Sequence, residues 1–150
     1  MQQAISLAKT ASDNGDVPVG ALVVNEAGEV LGTGHNLRQV NNDPTAHAEI
    51  VAMRMAASKL NNWRMDDLTM IVTLEPCAMC AGAISQSRFK RVVLGAWDEK
   101  AGAVGSVWDV IRDPRSLNKV EVITDVLEKD CALLLSDFFE GIREHRIEPE

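Results

Sequence analysis

An α/β fold, in which helices cover both faces of one mixed β-sheet, is what three features of this sequence predict. A strand–turn–strand hairpin lies near the start. Strand and helix signals alternate after it. The segments LTMIVTL (68–74) and RVVLGA (91–96) read as strands buried within a sheet. A hairpin followed by strand–helix alternation implies a mixed sheet with helices on both faces.

The elements follow in order. Ile5, Leu7, Ala8 and Ala11 suit a first amphipathic helix, which Asn14 and Gly15 stop. VGALVVN (19–25) is an apolar strand, Glu26 to Gly28 a turn, and EVLGTGHN (29–36) the hairpin partner. The polar loop LRQVNND leads to Pro44. A helix that reads as buried follows, through Ile50, Val51, Ala52, Met53, Met55, Ala56, Ala57 and Leu60. Pro76 ends the strand LTMIVTL, and CAMCAGAISQSR suits a short helix. After RVVLGA comes a Gly-rich, charged loop of about twenty residues, long enough that function or local order is expected of it. KVEVIT (119–124) is the last strand, and KDCALLLSDFFEGIREH (129–145) closes the chain as an amphipathic helix.

The 150 residues match one ordinary domain, and a hydrophobic content of 46% supplies a core, so residues 1–150 are read as a single domain. MQQAISLAKTASDNG has neither a basic start nor a long apolar stretch, so no signal peptide is expected. No apolar run approaches the roughly 20 residues of a membrane span. A cytoplasmic protein is the expectation.

The net charge of −7 argues against a loose, electrostatic nucleic-acid binder but leaves a local basic surface open. From Arg88 to Lys119, seven bases face four acids; from Glu121 onward, nine acids face three bases. On composition alone this is a solvated surface with uneven charge. The three cysteines, an odd number without an export signal, speak against a disulfide framework.

Two of them form PCAMC (76–80). Thiols three apart at a helix start share a face, and the helix dipole there favours anions. Alone, such a pair leaves metal, redox and inert core cysteines open. His47 decides for metal. It also begins a helix, in PTAHAEI (44–50), about one strand upstream, and two helix starts can converge at one end of a sheet. His47, Cys77 and Cys80 make three ligands; a structural zinc site wants four, whereas a catalytic one keeps a place for water. His35, His145 and Cys131 are poorly placed as a fourth, and Cys131 falls in the apolar stripe of the last helix. Glu49, two residues from His47, is then placed to exchange protons with water at the metal. By itself it would read as an acid stabilised by a helix N-terminus.

H-x-E followed by P-C-x-x-C is the pattern of zinc-dependent nucleobase deaminases. Beyond it, the sequence resembles the bacterial tRNA-specific adenosine deaminases, which convert the wobble adenosine to inosine. VPVGALVV, GHN, DPTAHAEI, VTLEPCAMCAGAI, RVVLGAWDEKAGAVGS and LLSDFF carry the resemblance over nearly the whole chain. The short pattern is shared with cytosine, cytidine and guanine deaminases; the longer stretches are more specific.

The resemblance implies a cytidine deaminase-like three-layer α/β/α sandwich with a five-stranded mixed sheet. It implies one Zn2+ per subunit on His47, Cys77 and Cys80, with Glu49 as the acid/base. Asn36 would bind the base, a position that otherwise reads as a turn Asn. The backbone of Ala48 and the ring of Pro76 would help hold the purine, and Val17, Pro18 and Val19 would line its pocket. Asp98 would contact the RNA backbone, although loop solvation explains an acid there equally well. Lys100 and Ser106 would meet phosphate, and the last helix near Arg143 would flank the tRNA anticodon loop. Phe138 and Phe139 are expected in the core. A homodimer is implied, to which Met53, Met55 and AISQSRF could offer apolar surface.

Three features depart from the family pattern. Little chain precedes the first helix, the C-terminus is acidic at Glu140 and EPE, and Trp97 stands beside Asp98, where it would either stack on a nucleotide or anchor the loop. Two other readings stand beside tRNA editing. One is a deaminase of free guanine, cytosine or a nucleoside, which the acidic charge suits. The other is a zinc-stabilised binding module, which has no use for Glu49.

Overall fold

A computed structural model describes residues 1–145; the EPE end of the chain lies outside the described residues. Helix α1 (Gln2–Asp13) leads to the hairpin of β1 (Gly20–Val24) and β2 (Val30–His35). Then come α2 (Arg38–Asn41), α3 (Ala48–Leu60), β3 (Thr69–Leu74), α4 (Ala78–Gln86), β4 (Arg91–Ala96), β5 (Glu121–Ile123) and α5 (Glu128–His145). The sheet order is β2-β1-β3-β4-β5. β1 is antiparallel to β2 and β3, whereas β3, β4 and β5 run parallel. This is the expected five-stranded mixed sheet.

Close helix–sheet approach fixes which face each helix covers. A Cβ on Gly20 would lie 2.0 Å from the Ala4 carbonyl oxygen, so α1 rests on the backbone of β1. A Cβ on Gly34 would lie 2.2 Å from the Ala48 carbonyl oxygen, so α3 rests on β2 in the same way. Gly34 pairs with Ala21, the neighbour of Gly20, and successive strand residues point to opposite faces. Helices α1 and α3 therefore cover opposite sides, giving the three-layer sandwich. Helix α5 packs on β4, β3 and α1, which puts it on the α1 side, while α4 packs against α3. The core runs from Val23 and Met70 through Ile84 and Phe89 to Leu94 and Ile111, all buried.

Three local expectations change. The polar loop after β2 contains the short helix α2. Helix α3 is buried on one face only. Its Ala48, Ala52 and Ala56, four residues apart, meet the sheet with Met53, while Met55 and Leu60 are exposed. Small side chains at that spacing let the helix approach β2 closely. Phe139 is 46% exposed rather than core, and it meets Phe138 edge to face at 5.4 Å. No helix among the described residues is long and apolar enough to cross a membrane.

Candidate metal centre and active site

Strand β3 ends at Leu74, and the chain turns through Glu75 and Pro76 into α4. Cys77 is the N-cap of α4, in extended conformation, and Cys80 lies buried one turn on. His47 is the N-cap of α3, also extended, and Glu49 stands in the first turn of that helix. Both helices thus begin at one end of the sheet, at the carboxyl end of β3, where open α/β sheets place ligands.

The three side chains converge. His47 Nδ1 is 3.6 Å from each of the Cys77 and Cys80 Sγ atoms. All three candidate ligand atoms lie within 4.8 Å of one another, and no further His, Cys, Asp or Glu among the described residues joins the group. A tetrahedral zinc, with sulfur at about 2.3 Å and nitrogen at about 2.1 Å, sets those ligands about 3.6 Å apart. Spacing and donor chemistry therefore both fit zinc, with one coordination place left over. His35 and Cys131 stand apart from the group: His35 ends β2, and Cys131 is buried in α5 against Gly95.

The group is also electrostatically prepared. The Cys80 thiol and then the His47 ring stabilise the Cys77 thiolate, holding its pKa down to about 3. The Cys77 sulfur pushes the Cys80 thiol up, and it raises His47 through their hydrogen bond. Glu49 is 4% exposed, and burial pushes its carboxyl up to about 7, with the Cys77 charge adding and His47 opposing. A carboxyl held near neutrality gives and takes protons readily.

Asn36 is 6% exposed at the end of β2. Its Nδ2 donates to the Val17 carbonyl at 2.9 Å, and its Oδ1 accepts from the Ala48 N–H at 3.0 Å. The side chain therefore ties the approach to β1 to the start of α3, next to His47. The Ala48 N–H is committed to that bond. Pro18, Val19 and Pro76 are buried, and Val17 is half-buried.

A cleft of about 910 Å³ adjoins the loop that bridges to Cys77 at Gly102, although none of His47, Glu49, Cys77 and Cys80 lines it. Val17, Leu74, Trp97, Asp98, Lys100 and Phe139 are among its lining residues. Ser106 also lines it, but its hydroxyl donates to Glu75. Asp98 Oδ1 accepts from the N–H groups of Lys100 and Ala101, capping the turn that carries them. Arg143 is exposed on α5 outside this lining. Trp97 is an anchor: its Nε1–H donates to Asp125 at 2.8 Å, and its ring packs against the core. Four of the seven bases between residues 88 and 119 pair with carboxylates: Lys90, Arg91, Arg112 and Arg115. Lys100 has no such partner among the described residues and faces the cleft.

Glu75 escaped the sequence reading. It is 2% exposed and bonds to residues 98 to 106. Its only signal in the sequence is a charged residue at the end of an otherwise apolar strand.

The family model of the MafB19-like deaminases matches residues 1–143. A tRNA-specific adenosine deaminase of Haemophilus influenzae is 47% identical over 146 residues, 97% of this chain and 84% of that protein. One from Bacillus subtilis is 42% identical over 147 residues, 97% of this chain and 90% of that protein. A solved structure from studies of A-to-I editing by tRNA:A34 deaminases superposes with a TM-score of 0.86 at 38% identity, covering 90% of this chain and 97% of that one. With this likeness along nearly its whole length, the chain belongs to the MafB19-like deaminases and to the family of the tRNA-specific adenosine deaminases.

Proposed function

We propose that this protein is a zinc-dependent hydrolase that deaminates the wobble adenosine of a tRNA anticodon to inosine, releasing ammonia. The observation that carries the chemistry is the meeting of His47, Cys77 and Cys80 at two helix starts, with buried Glu49 beside them. The likeness to the tRNA-specific enzymes supports the substrate.

His47 Nδ1 and the two sulfurs would hold the ion. Zinc, when bound, would supply a Lewis acid that lowers the pKa of water to about 7. Glu49 takes a proton from the attacking water and returns protons to the purine and its departing amine. The water oxygen adds at the ring carbon that carries the amine; that carbon–nitrogen bond breaks and ammonia leaves. Burial keeps Glu49 able to work in both directions near neutral pH.

Around this centre, Asn36 orients the start of α3 and has one donor and one acceptor position left for a base. Val17 forms part of the pocket wall, with Pro18, Val19 and Pro76 behind it. Lys100 offers a cation to phosphate at the cleft, and Asp98 shapes its turn. The protein works in the cytoplasm as a homodimer. Exposed Met55, Trp63, Trp108 and Leu117 supply apolar surface for a second copy; Met53 is core and does not contribute.

The test is product formation on an anticodon stem-loop RNA with adenosine at the wobble position, alongside free adenosine, cytidine and guanine. Inosine in the RNA with little turnover of the small molecules is expected. Turnover of a free base with the RNA untouched would overturn the substrate and keep the centre.

A further inference from the structure

We infer that Glu75 is a positioning residue, whose buried carboxylate holds the loop of residues 98–106 against the metal centre and so shapes one wall of the substrate cleft. For its substrate the inference rests on the tRNA reading above; the pinning itself does not.

The sequence leaves Glu75 an odd residue. It follows the apolar strand TMIVTL, precedes Pro76 and is 2% exposed. A charge that deep costs free energy unless it is fully hydrogen-bonded. Here no lysine or arginine ion-pairs with it among the described residues. Its partners come from one loop instead. Oε1 accepts from the backbone N–H groups of Val104 and Ser106, both at 3.0 Å. Oε2 accepts from the Asp98 N–H at 2.9 Å and from the Ser106 hydroxyl. Four donors 23 to 31 residues away therefore share one carboxylate.

The same loop touches the centre on its other side. Gly102 forms a bridge with Cys77, and the Ala103 N–H donates to the Pro76 carbonyl at 2.8 Å. The loop approaches so closely that a Cβ on Gly102 would lie 2.1 Å from Glu75 Oε2. Trp97, Asp98, Lys100, Gly105 and Ser106 of this segment line the cleft. Almost no helix or strand supports them, so the carboxylate does what a sheet ladder does elsewhere. Glu75 touches neither metal ligand atoms nor cleft, and it acts through the loop.

Glu75→Gln tests this while keeping the shape. One oxygen becomes an NH2 group, and that group must face two of the four donors. Amide exchange in the holoprotein is measured first, without substrate. The amides facing the new NH2 group should exchange at least about tenfold faster, because a hydrogen bond to a charged acceptor is lost. Zinc content should stay that of the unaltered protein. On the anticodon stem-loop, the half-saturating concentration should rise about tenfold, while the single-turnover rate at saturation changes less than about threefold. Gly102→Ala, which drives a methyl group into the carboxylate from the loop side, should move the same two readouts in the same direction. It also serves if Glu75→Gln does not fold.

Unchanged amide protection would overturn the pinning. Lost zinc, or a slower saturated rate with unchanged half-saturation, would overturn the positioning role. If the unaltered protein leaves the stem-loop untouched, the tRNA reading falls, and amide exchange alone decides the pinning.

Discussion

Asn36 offers the sharpest link between stability and the site. Its side chain spans two backbone groups, the Val17 carbonyl at 2.9 Å and the Ala48 N–H at 3.0 Å. In Asn36→Ala the Val17 carbonyl keeps the Val19 N–H as a donor, whereas the buried Ala48 N–H loses its partner. One orphaned group costs about 1–3 kcal/mol, so the variant should lose about that much stability. For a chain of this length that lowers Tm by roughly 2–12 °C. Asn36→Asp separates the two bonds. A carboxylate still accepts from the Ala48 N–H, but its other oxygen meets the Val17 carbonyl, acceptor against acceptor. The folded state then favours the protonated acid, which can donate to Val17. The new group's pKa in the folded protein is raised above its unfolded value, so its stabilising contribution is present at low pH and lost as pH rises. The gap between Asn36→Asp and the unaltered protein should therefore widen from acid to neutral pH. Urea unfolding of zinc-loaded protein at a series of pH values measures both effects. A stability for Asn36→Ala within about 0.5 kcal/mol of the original would refute the reasoning, since that is the range of surface changes away from any structural feature.

Glu49→Ala should fold, keep its zinc and lose at least about 100-fold in deamination, the usual contribution of a positioned acid/base; activity near the original would remove Glu49 from the mechanism. Cys80→Ser should bind zinc poorly and melt at a lower temperature than the zinc-loaded original, read by metal analysis and calorimetry, and full occupancy would show that the ligand set is wrong. Acid should release zinc, because His47 and both thiols bind it only when deprotonated; a zinc indicator followed from neutral pH downward would show release, and constant occupancy to about pH 3 would contradict it. Gly34→Ala places a methyl group 2.2 Å from the Ala48 carbonyl oxygen, so α3 must move. A loss of about 1–3 kcal/mol is expected, together with slower deamination, because His47 and Glu49 ride on that helix; an unchanged melting temperature would contradict it.

Much of this arrangement was legible beforehand. The strands and the longer helices follow from apolar periodicity and from punctuation by Gly and Pro, which are local properties. The expected ends differ by only a few residues, as at β5, read as 119–124 and observed as Glu121–Ile123. The grouping of His47, Cys77 and Cys80 was readable because metal chemistry demands particular side chains at helix starts, and few residues in the chain meet that demand. Less legible was how much of each helix would be covered. Leu60, Met55 and Phe139 carry the apolar side chains of a core, and all three are exposed because one sheet covers only one side of a helix.

By itself, the sequence determined the α/β class, the candidate donor set of His47, Cys77 and Cys80, and the company of Glu49. Each is written in short patterns whose meaning needs no distant partner. The tertiary structure alone decided that His47 Nδ1 faces both sulfurs, that Asn36 bridges Val17 to Ala48, that Trp97 anchors on Asp125, and that Glu75 holds the loop of residues 98–106. The physical reason is separation along the chain. These bonds join residues 12 to 33 apart, and the spacing of two residues in sequence carries no record of how strand register and loop path bring their polar atoms together.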